Sequence, residues 1–309
     1  MIITTLLKKR KEKKEITAHC REIIYTLAGK LGERTIRLYS NLTSARDFIH
    51  TTFTEQGSTP YLEEYHADGK AVHNVIAEIE GTEFPEKIIL IGAHYDTIEG
   101  TPGADDNASA VAGLLELHRL MSAKPAKRTV RFVAFTLEEP PYFSTDEMGS
   151  MVHAKNARER NDGIELMVCL EMLGFAGKKV QQKFPVADMK RDYPRQGNYL
   201  AVVSLPSSAD LAYLWKRVYN SHAKKNREIY DMIGPSSIPG IGFSDHMSFN
   251  RFNYRNIMLT DTAFFRNDNY HTENDTFSTI NFDFLYENVL FSYHTINEIA
   301  NMERLPYAE

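Results

Sequence analysis

Three short runs of apolar or β-branched residues, separated by helical patterns, constrain the fold of this chain more than any other feature. The runs lie at 88–93, 130–137 and 166–170, and the segments at about 107–123 and 147–160 between them carry apolar residues at helical spacing. Strands that are joined through helices run parallel, because the connection returns the chain to the same end of the sheet. The alternation therefore predicts an α/β fold with a mainly parallel central sheet.

Other patterns extend this sheet toward both ends of the chain. Apolar spacing predicts helices at about 13–30 and 42–57, and alternating residues predict strands at 61–66 and 71–80. Glycine, proline and charged residues at 174–198 indicate a long excursion at the rim of the sheet, where it would shape a substrate cleft. The remaining predicted elements are a strand at 199–205, a helix at about 207–226, a strand at 256–260 and a last helix at 282–300.

The length of 309 residues is compatible with two average domains or with one large α/β domain. The sequence shows no internal repeat and no clean linker that would divide it. We therefore predict a single domain over 1–309, with an N-terminal extension of helices and a β-hairpin at about 1–80.

Composition excludes several classes of protein. Apolar residues make up 42% and charged residues 25%, which is ordinary for a globular chain and excludes disordered and low-complexity classes. The 36 basic and 41 acidic side chains give a net charge of −5, so we predict no nucleic-acid partner. The apolar run at 88–93 is far shorter than the roughly 20 residues of a membrane span, so we predict no membrane partner.

The N-terminus and the cysteines bear on the cellular compartment. Residues 1–7 are mainly apolar and residues 8–11 are basic, which reverses the order of a signal peptide and favours a cytoplasmic location. Export stays open, because a chain whose leader had been removed would show the same pattern. Cys20 and Cys169 form no CxxC pair, so neither a disulfide framework nor a cysteine zinc site is indicated. The sequence does not indicate an oligomeric state.

Polar clusters follow the predicted buried strands, where ligands bind in open parallel sheets. His94 and Asp96 end the first run and point to the same side of an extended chain, so Asp96 can accept the second ring N–H of His94 and orient it as a metal ligand. Asp105 and Asp106 directly precede a predicted helix. A helix cap needs only one such side chain, so the second acid is available for a metal.

The next two strands also end in acids. Glu138 and Glu139 follow the run at 130–137, where neighbouring side chains diverge, which favours one metal ligand and one proton-transfer group. Glu171 follows the run at 166–170, and His271 lies in a later polar turn. Singly, each residue also fits an ordinary structural role. A parallel sheet would gather all of them at one edge, so their order along the chain predicts a metal site.

Together these blocks resemble the M28 family of zinc exopeptidases, and the resemblance runs from about residue 70 to about residue 300. The blocks that carry it are His94-Tyr95-Asp96, Gly103-Ala104-Asp105-Asp106-Asn107-Ala108-Ser109, Glu138-Glu139 with Gly149-Ser150, Leu170-Glu171-Met172, Ser244-Asp245-His246, and His271-Thr272 with Asp275-Thr276. The resemblance implies a three-layer α/β/α sandwich of the phosphorylase/hydrolase type with a mostly parallel central sheet. It also implies two adjacent Zn²⁺ ions, for which Mn²⁺ or Co²⁺ are candidate substitutes because ligand type alone discriminates poorly.

The resemblance assigns a ligand role to five residues. Asp106 would bridge the two metal ions. His94 and Glu171 would complete one site, and Glu139 and His271 the other. Three ligand carboxylates contribute −3 against +4 from two zinc ions, so the two charges nearly balance, whereas an empty cluster would hold three repelling acids together.

Further residues receive roles around these ligands. Glu138 would be the general base, and Asp96 would be a further catalytic residue behind His94. Candidates for contact with the substrate or support of the ligands are Asp245, His246 and Tyr270. Many relatives carry aspartate at the position of Glu171, and some carry an oxyanion-binding tyrosine shortly before the Ser-Asp-His block, where this chain has Ile241, Gly242 and Phe243. The oxyanion donor therefore stays unassigned.

The implied function is the hydrolytic release of N-terminal amino acids, with a peptide that has a free N-terminus as partner. A rival enzyme is a glutaminyl cyclase-like acyltransferase, which shares the general fold and much of the ligand order but uses a single zinc ion. A rival without catalysis is a protease-like binding domain that has lost its metals. The complete ligand set and Glu138 argue against the binding domain, and the number of bound metal ions separates the two enzymes.

Overall fold

The computed structural model describes residues 2–225 and 227–306, and the chain forms one mixed sheet of eight strands between two layers of helices. The strands are β1 (Tyr61–Ala67), β2 (Lys70–Ile79), β3 (Phe84–His94), β4 (Arg128–Phe135), β5 (Gly163–Glu171), β6 (Leu200–Ser204), β7 (Ile229–Ile233) and β8 (Asn256–Thr260). The helices are α1 (Ile2–Ile24), α2 (Tyr39–Glu55), α3 (Ala110–Ser122), α4 (Gly149–Arg160), α5 (Ala209–His222), α6 (His246–Arg251) and α7 (Phe282–Ala300). The predicted three-layer sandwich is confirmed.

The strand order is β1-β2-β4-β3-β5-β8-β6-β7. The four central strands β4, β3, β5 and β8 run parallel to one another, as the sequence predicts, and β7 runs parallel to β6. Strand β2 pairs antiparallel with both β1 and β4, so the strands of the predicted N-terminal extension belong to the same sheet. The division of the chain into domains stays a prediction.

The central strands are buried on both faces, which explains why they read as continuous apolar runs. In β3, Ile89 and Ile91 pack into one core, and Ile88 and Leu90 pack into the other. Helices α1, α2, α3, α5 and α7 contribute to the first core, and α4 and α6 contribute to the second. The sheet therefore separates two cores and leaves its strand ends free for a site.

Three local features differ from the sequence-based prediction. Helix α1 begins at Ile2 rather than at about 13, and its residues 9–15 are mostly exposed, so no apolar stripe marks them. Strand β7 was not predicted because it lies at the edge of the sheet with only two buried residues, so it lacks the continuous apolar run of β6 and β8. Helix α6 was not predicted because its six residues make fewer than two helical turns. Strand β6 pairs antiparallel with β8, so the parallel arrangement ends there.

Two further findings concern membrane-spanning helices and the cysteines. Among residues 2–225 and 227–306, no helix combines the length and the apolar character that crossing a membrane requires. Cys20 and Cys169 are both buried as free thiols, one in each core. Burial raises the pKa of each thiol, so both behave as small apolar side chains.

Asn74 in β2 holds the two ends of the connection between β4 and α4. Its amide nitrogen donates to the Gly149 carbonyl at 2.8 Å, and its amide oxygen accepts the Thr136 N–H at 3.1 Å. Gly149 packs so closely that a Cβ there would lie 2.4 Å from Asn74 Oδ1 and from the Thr136 carbonyl oxygen. These contacts hold the segment that carries Glu138 and Glu139.

We expect Gly149→Ala to lower the free energy of unfolding by about 1–3 kcal/mol, because the added methyl group must displace backbone atoms. Urea denaturation followed by circular dichroism measures the change. Gly177→Ala is the matched control, since its Cβ would approach only the Val180 side chain, at 3.1 Å. Equal midpoints for Gly149→Ala and the unsubstituted chain would contradict the prediction.

Candidate metal centre

The five predicted metal ligands meet at the carboxyl ends of the central strands. His94 is the last residue of β3, Glu171 is the last residue of β5, and Glu139 lies just beyond β4. Asp106 lies in the kinked segment that precedes α3, and His271 lies in the loop after β8. The parallel topology therefore brings together residues that are far apart in the sequence.

The ligand atoms form two groups that share Asp106. One group contains His94, Asp106 and Glu171, the other contains Asp106, Glu139 and His271, and within each group the atoms lie within 4.8 Å of one another. His94 Nε2 is 3.4 Å from Asp106 Oδ1 and 3.5 Å from Glu171 Oε2. His271 Nε2 is 3.2 Å from Asp106 Oδ2 and 3.2 Å from Glu139 Oε1. The two oxygens of Asp106 thus face different groups, as in a carboxylate that bridges two cations.

The residues present fit a pair of zinc ions. Asp106 Oδ1 and His271 Nε2 are buried without a hydrogen-bond partner among the described residues. A buried polar atom without a partner costs free energy, and one cation in each ligand group would remove that cost. Imidazole nitrogens and carboxylate oxygens are ordinary zinc ligands.

Asp96 connects the ends of β3 and β4. Its Oδ1 accepts the N–H of Glu138 at 3.0 Å, and its Oδ2 accepts the N–H of Glu139 at 3.1 Å. Asp96 Oδ1 also lies 3.5 Å from Nδ1 of His94, on the side of the ring opposite the ligand group. One carboxylate therefore binds the backbone of both glutamates and lies beside the ring of His94.

Glu138 lies beside the ligands. Its Oε2 is 3.9 Å from His94 Nε2, and it forms a third group of donor atoms with His94 and Glu139. Burial raises the pKa of Glu138 well above its usual range. A carboxyl group with a raised pKa can hold a proton more readily than an exposed one.

The electrostatics of the cluster reflect its dense negative charge. Burial, followed by the negative charge of Asp106, raises the pKa of Glu139 to about 7. Burial lowers the pKa of His271, but the carboxylates of Asp106 and Glu139 outweigh this effect and raise it to about 10. Burial likewise lowers the pKa of His94, and the charges of Glu171 and Glu138 outweigh it. Protons on the histidines therefore supply the positive charge that metal binding would replace.

Several supporting residues were not identified from the sequence. Ser244 donates to Glu171 Oε2 at 2.7 Å, and Asn267 donates to Asp105 Oδ2 at 2.9 Å. Asp275, which the resemblance includes without a role, accepts the N–H of Asp105 at 2.9 Å and of Asp106 at 3.0 Å. The partners in these contacts are far apart in the sequence, so the spacing of apolar and polar residues along the chain does not reveal them.

The three remaining candidate residues lie in different surroundings. Tyr270 faces the cavity beside the cluster, and its ring stacks on His271 with centroids 3.7 Å apart. Asp245 and His246 are fully buried, and the part of the cavity lining that the structure describes includes neither of them. His246 Nε2 instead contacts the Ile241 carbonyl at 2.8 Å. The structure thus brings Tyr270, but not the other two, to the cavity.

A cavity with a mainly apolar lining opens beside the ligand cluster. The rim excursion at 174–198 contributes Phe184 and Met189 to its wall, and strands β6, β7 and β8 contribute Val203, Met232 and Met258. Phe243 and Phe264 lie against each other with ring centroids 6.2 Å apart, and both line the cavity. The cavity can hold an apolar group next to the metal centre.

Comparison with known proteins agrees with this geometry. The model of peptidase family M28 matches residues 74–292. The uncharacterized protein YfbL of Escherichia coli (strain K12) is 37% identical over 251 residues, which are 78% of this chain and 76% of YfbL. Aminopeptidase YwaD of Bacillus subtilis (strain 168) is 28% identical over 97 residues, 31% of this chain and 20% of YwaD. Leucine aminopeptidase 2 of Trichophyton rubrum is 22% identical, and the match covers 75% of this chain and 46% of the relative.

Two solved structures show the same fold. The LapA aminopeptidase of Legionella pneumophila has a TM-score of 0.71 at 18% identity, covering 94% of this chain and 76% of LapA. BSAP, a zinc aminopeptidase of Bacillus subtilis, has a TM-score of 0.58 at 21% identity, covering 78% of this chain and 53% of BSAP.

The chain thus spans less than half the length of the curated aminopeptidases named above. The family match nevertheless covers more than half of this chain, and the fold agrees with it. These matches confirm two predictions. The chain is a hydrolase, and it resembles the M28 zinc exopeptidases. The chain belongs to peptidase family M28.

Proposed function

We propose that this chain is an aminopeptidase that hydrolyses the first peptide bond of a peptide with a free N-terminus, using two zinc ions. The observation that carries the proposal is the placement of Asp106, whose two carboxylate oxygens face two separate groups of ligand atoms. The aminopeptidases among the relatives support the substrate class.

Each proposed ligand follows from its distances. Asp106 would hold both ions, and the remaining ligands would be His94 and Glu171 on one side and Glu139 and His271 on the other. When bound, zinc lowers the pKa of a water toward about 7 and polarises a carbonyl group, with Mn²⁺ or Co²⁺ as candidate substitutes. Asp96 and Ser244 keep His94 and Glu171 oriented for this role.

Glu138 acts as the general base. It takes the proton of the attacking water and passes it to the nitrogen of the leaving amine, so the same group serves as base and then as acid. Burial raises the pKa of Glu138, which favours its ability to hold a proton between the two steps.

Tyr270 donates a hydrogen bond to the oxygen of the scissile carbonyl. Burial, followed by the negative charges of Asp106 and Glu139, raises the pKa of Tyr270, so its phenol stays protonated near neutral pH. A neutral donor aimed at the oxygen stabilises the negative charge that develops there. Tyr270 thereby replaces the oxyanion-binding tyrosine that some relatives carry shortly before the Ser-Asp-His block, where this chain has Phe243.

The substrate's two features suit two parts of the cavity. The α-amino group lies at the end of the cavity that Glu138 and Glu139 line, where carboxylate oxygens can accept its N–H groups. The side chain of the first residue lies against the apolar wall that contains Met232 and Met258. Only a chain end fits this arrangement, which accounts for the removal of single residues.

We expect Glu138→Gln to retain both metal ions and to lose turnover by about 10²- to 10⁴-fold, because the amide cannot accept the proton of the water. Hydrolysis of aminoacyl-p-nitroanilides measures kcat, and mass spectrometry measures the metal content. Glu147→Gln, at an exposed position of the same connection, is the control. Full activity of Glu138→Gln would remove Glu138 from the mechanism.

We expect the purified protein to bind two zinc ions per chain, because two ligand groups share Asp106. Plasma mass spectrometry after equilibration with zinc counts the ions, and a chelator should abolish hydrolysis that added zinc restores. His271→Ala should reduce the count to one. A count of one in the unsubstituted chain would favour the single-zinc cyclase, and a count of zero would favour a binding domain.

We expect Tyr270→Phe to lower kcat by about 10²- to 10³-fold with little change in KM, because the lost hydrogen bond forms mainly in the transition state. The metal content should not change, since the ring that stacks on His271 remains. Tyr213→Phe, on the exposed side of α5, provides the comparison. An unchanged kcat would show that Tyr270 is not the donor.

A further inference from the structure

A buried arginine from the N-terminal segment reaches the loop that joins two blocks of the metal centre. Arg34 lies between α1 and α2, before residue 74, where the family match begins. Its side chain has no exposed surface. Arginine is seldom fully buried without dense pairing, so its partners indicate why it is there.

The guanidinium group of Arg34 binds the loop at both ends. Nε donates to the Tyr95 carbonyl at 2.7 Å, Nη1 donates to the Pro102 carbonyl at 2.7 Å, and Nη2 donates to the Gly103 carbonyl at 3.0 Å. Nη1 also donates to the carbonyl of Gly32 at 2.8 Å, within its own connection. One planar group thus connects the N-terminal segment to residues 95 and 102–103.

The backbone of Arg34 makes a second connection to the same loop. Its N–H donates to Thr97 Oγ1 at 3.0 Å, and its carbonyl accepts the Thr97 N–H at 3.2 Å. Gly103 has a φ of 58°, and a Cβ there would lie 2.4 Å from Thr97 Cγ2 and 3.0 Å from Arg34 Nη2. The loop is therefore packed against Arg34 without space for another side chain.

The two ends of this loop carry ligand residues. Tyr95 lies between His94 and Asp96 in the sequence, and Gly103 precedes Asp106 by three positions. A shift of the loop relative to β3 would change the separation of His94 Nε2 and Asp106 Oδ1, which is 3.4 Å. The contacts of Arg34 therefore act on the geometry of one ligand group.

The positive charge of Arg34 also stabilises the arrangement of the acids at the metal centre. The cation lies near the carboxylates of Asp96, Asp106 and Asp275, each of which raises its pKa, although burial lowers the value to about 10. Arg34 is thus positively charged at neutral pH, behind the acids rather than between them. It offsets part of their repulsion without occupying the position of a metal.

We propose that Arg34 is a positioning residue of the metal centre, which ties residues 95 and 102–103 together and thereby sets the spacing of His94 and Asp106. This inference rests on the proposed metal centre and extends it to the N-terminal segment. Lysine would retain the charge but would lack the planar fork that reaches several carbonyls at once.

The test compares Arg34→Lys with Arg128→Lys. Arg128 is also fully buried and donates to Glu165 and to the Met302 carbonyl, but it lies at the start of β4, at the opposite edge of the sheet. We expect Arg34→Lys to weaken zinc binding by about 10- to 100-fold, measured by competition with a chelator. Arg128→Lys should lower thermal stability and leave zinc affinity unchanged.

Three further measurements separate positioning from general stability. The visible absorption of bound Co²⁺ reports ligand geometry and should change in Arg34→Lys alone. Hydrogen exchange should become faster over residues 95–106 in Arg34→Lys alone. In hydrolysis, kcat should fall while KM changes little, because the apolar wall of the cavity is intact.

A folded Arg34→Lys with unchanged zinc affinity and an unchanged Co²⁺ spectrum would overturn the inference. Should this variant fail to fold, Thr97→Val decides, because it removes the hydroxyl group that accepts the Arg34 N–H. Weaker zinc binding by Thr97→Val would support the inference, and unaltered binding would overturn it. Failure of the unsubstituted chain to bind zinc would instead refute the proposed function.

Discussion

Buried carboxylates crowd one edge of the sheet, and the fold must compensate their mutual repulsion. Ionised acids that lose water must find hydrogen-bond donors or positive charges. Asp96 and Asp275 each accept two backbone N–H groups, which satisfies them with the chain itself. Among the described residues, no backbone N–H donates to the side chains of Asp106 and Glu139, and Glu171 accepts the hydroxyl of Ser244 instead. Their compensation must come from protons or from cations, and this requirement defines the chemistry of the site.

The fold meets this constraint by placing one part of the centre at each strand end. Parallel strands present all their carboxyl ends at a single edge, so the last residues of β3 and β5 and the residues that follow β4 meet in one place. Strand β6 runs antiparallel to β8, and these two strands supply the apolar side chains of Val203 and Met258 to the cavity rather than acids. The change of strand direction thus separates the reacting groups from the apolar wall.

Sequence reasoning located the central strands and their polar ends, because continuous apolar runs followed by acids form a local and repeated signal. It could not locate β7, a half-buried edge strand without a continuous apolar run, or α6, which has fewer than two helical turns. It also missed Arg34, whose partners are backbone carbonyls up to 69 positions away and are invisible in any residue pattern. Its selection of Asp245 and His246 relied on the resemblance of the Ser-Asp-His block to the M28 family, whereas it is the adjacent Ser244 that contacts Glu171. The catalytic and ligand roles stay predictions, since proximity alone does not establish chemistry.

The stacking of Tyr270 on His271 has a consequence for how such a site can change. The two rings lie 3.7 Å apart at an angle of 16°, so the imidazole cannot rotate independently of its neighbour. The same tyrosine also lines the cavity, so one side chain affects both the orientation of His271 and the shape of the cavity. Natural or laboratory selection for a new substrate preference at this position would also alter how firmly the cation is retained. Diversification should therefore be tolerated more readily at the distant strand residues of the cavity than at this one.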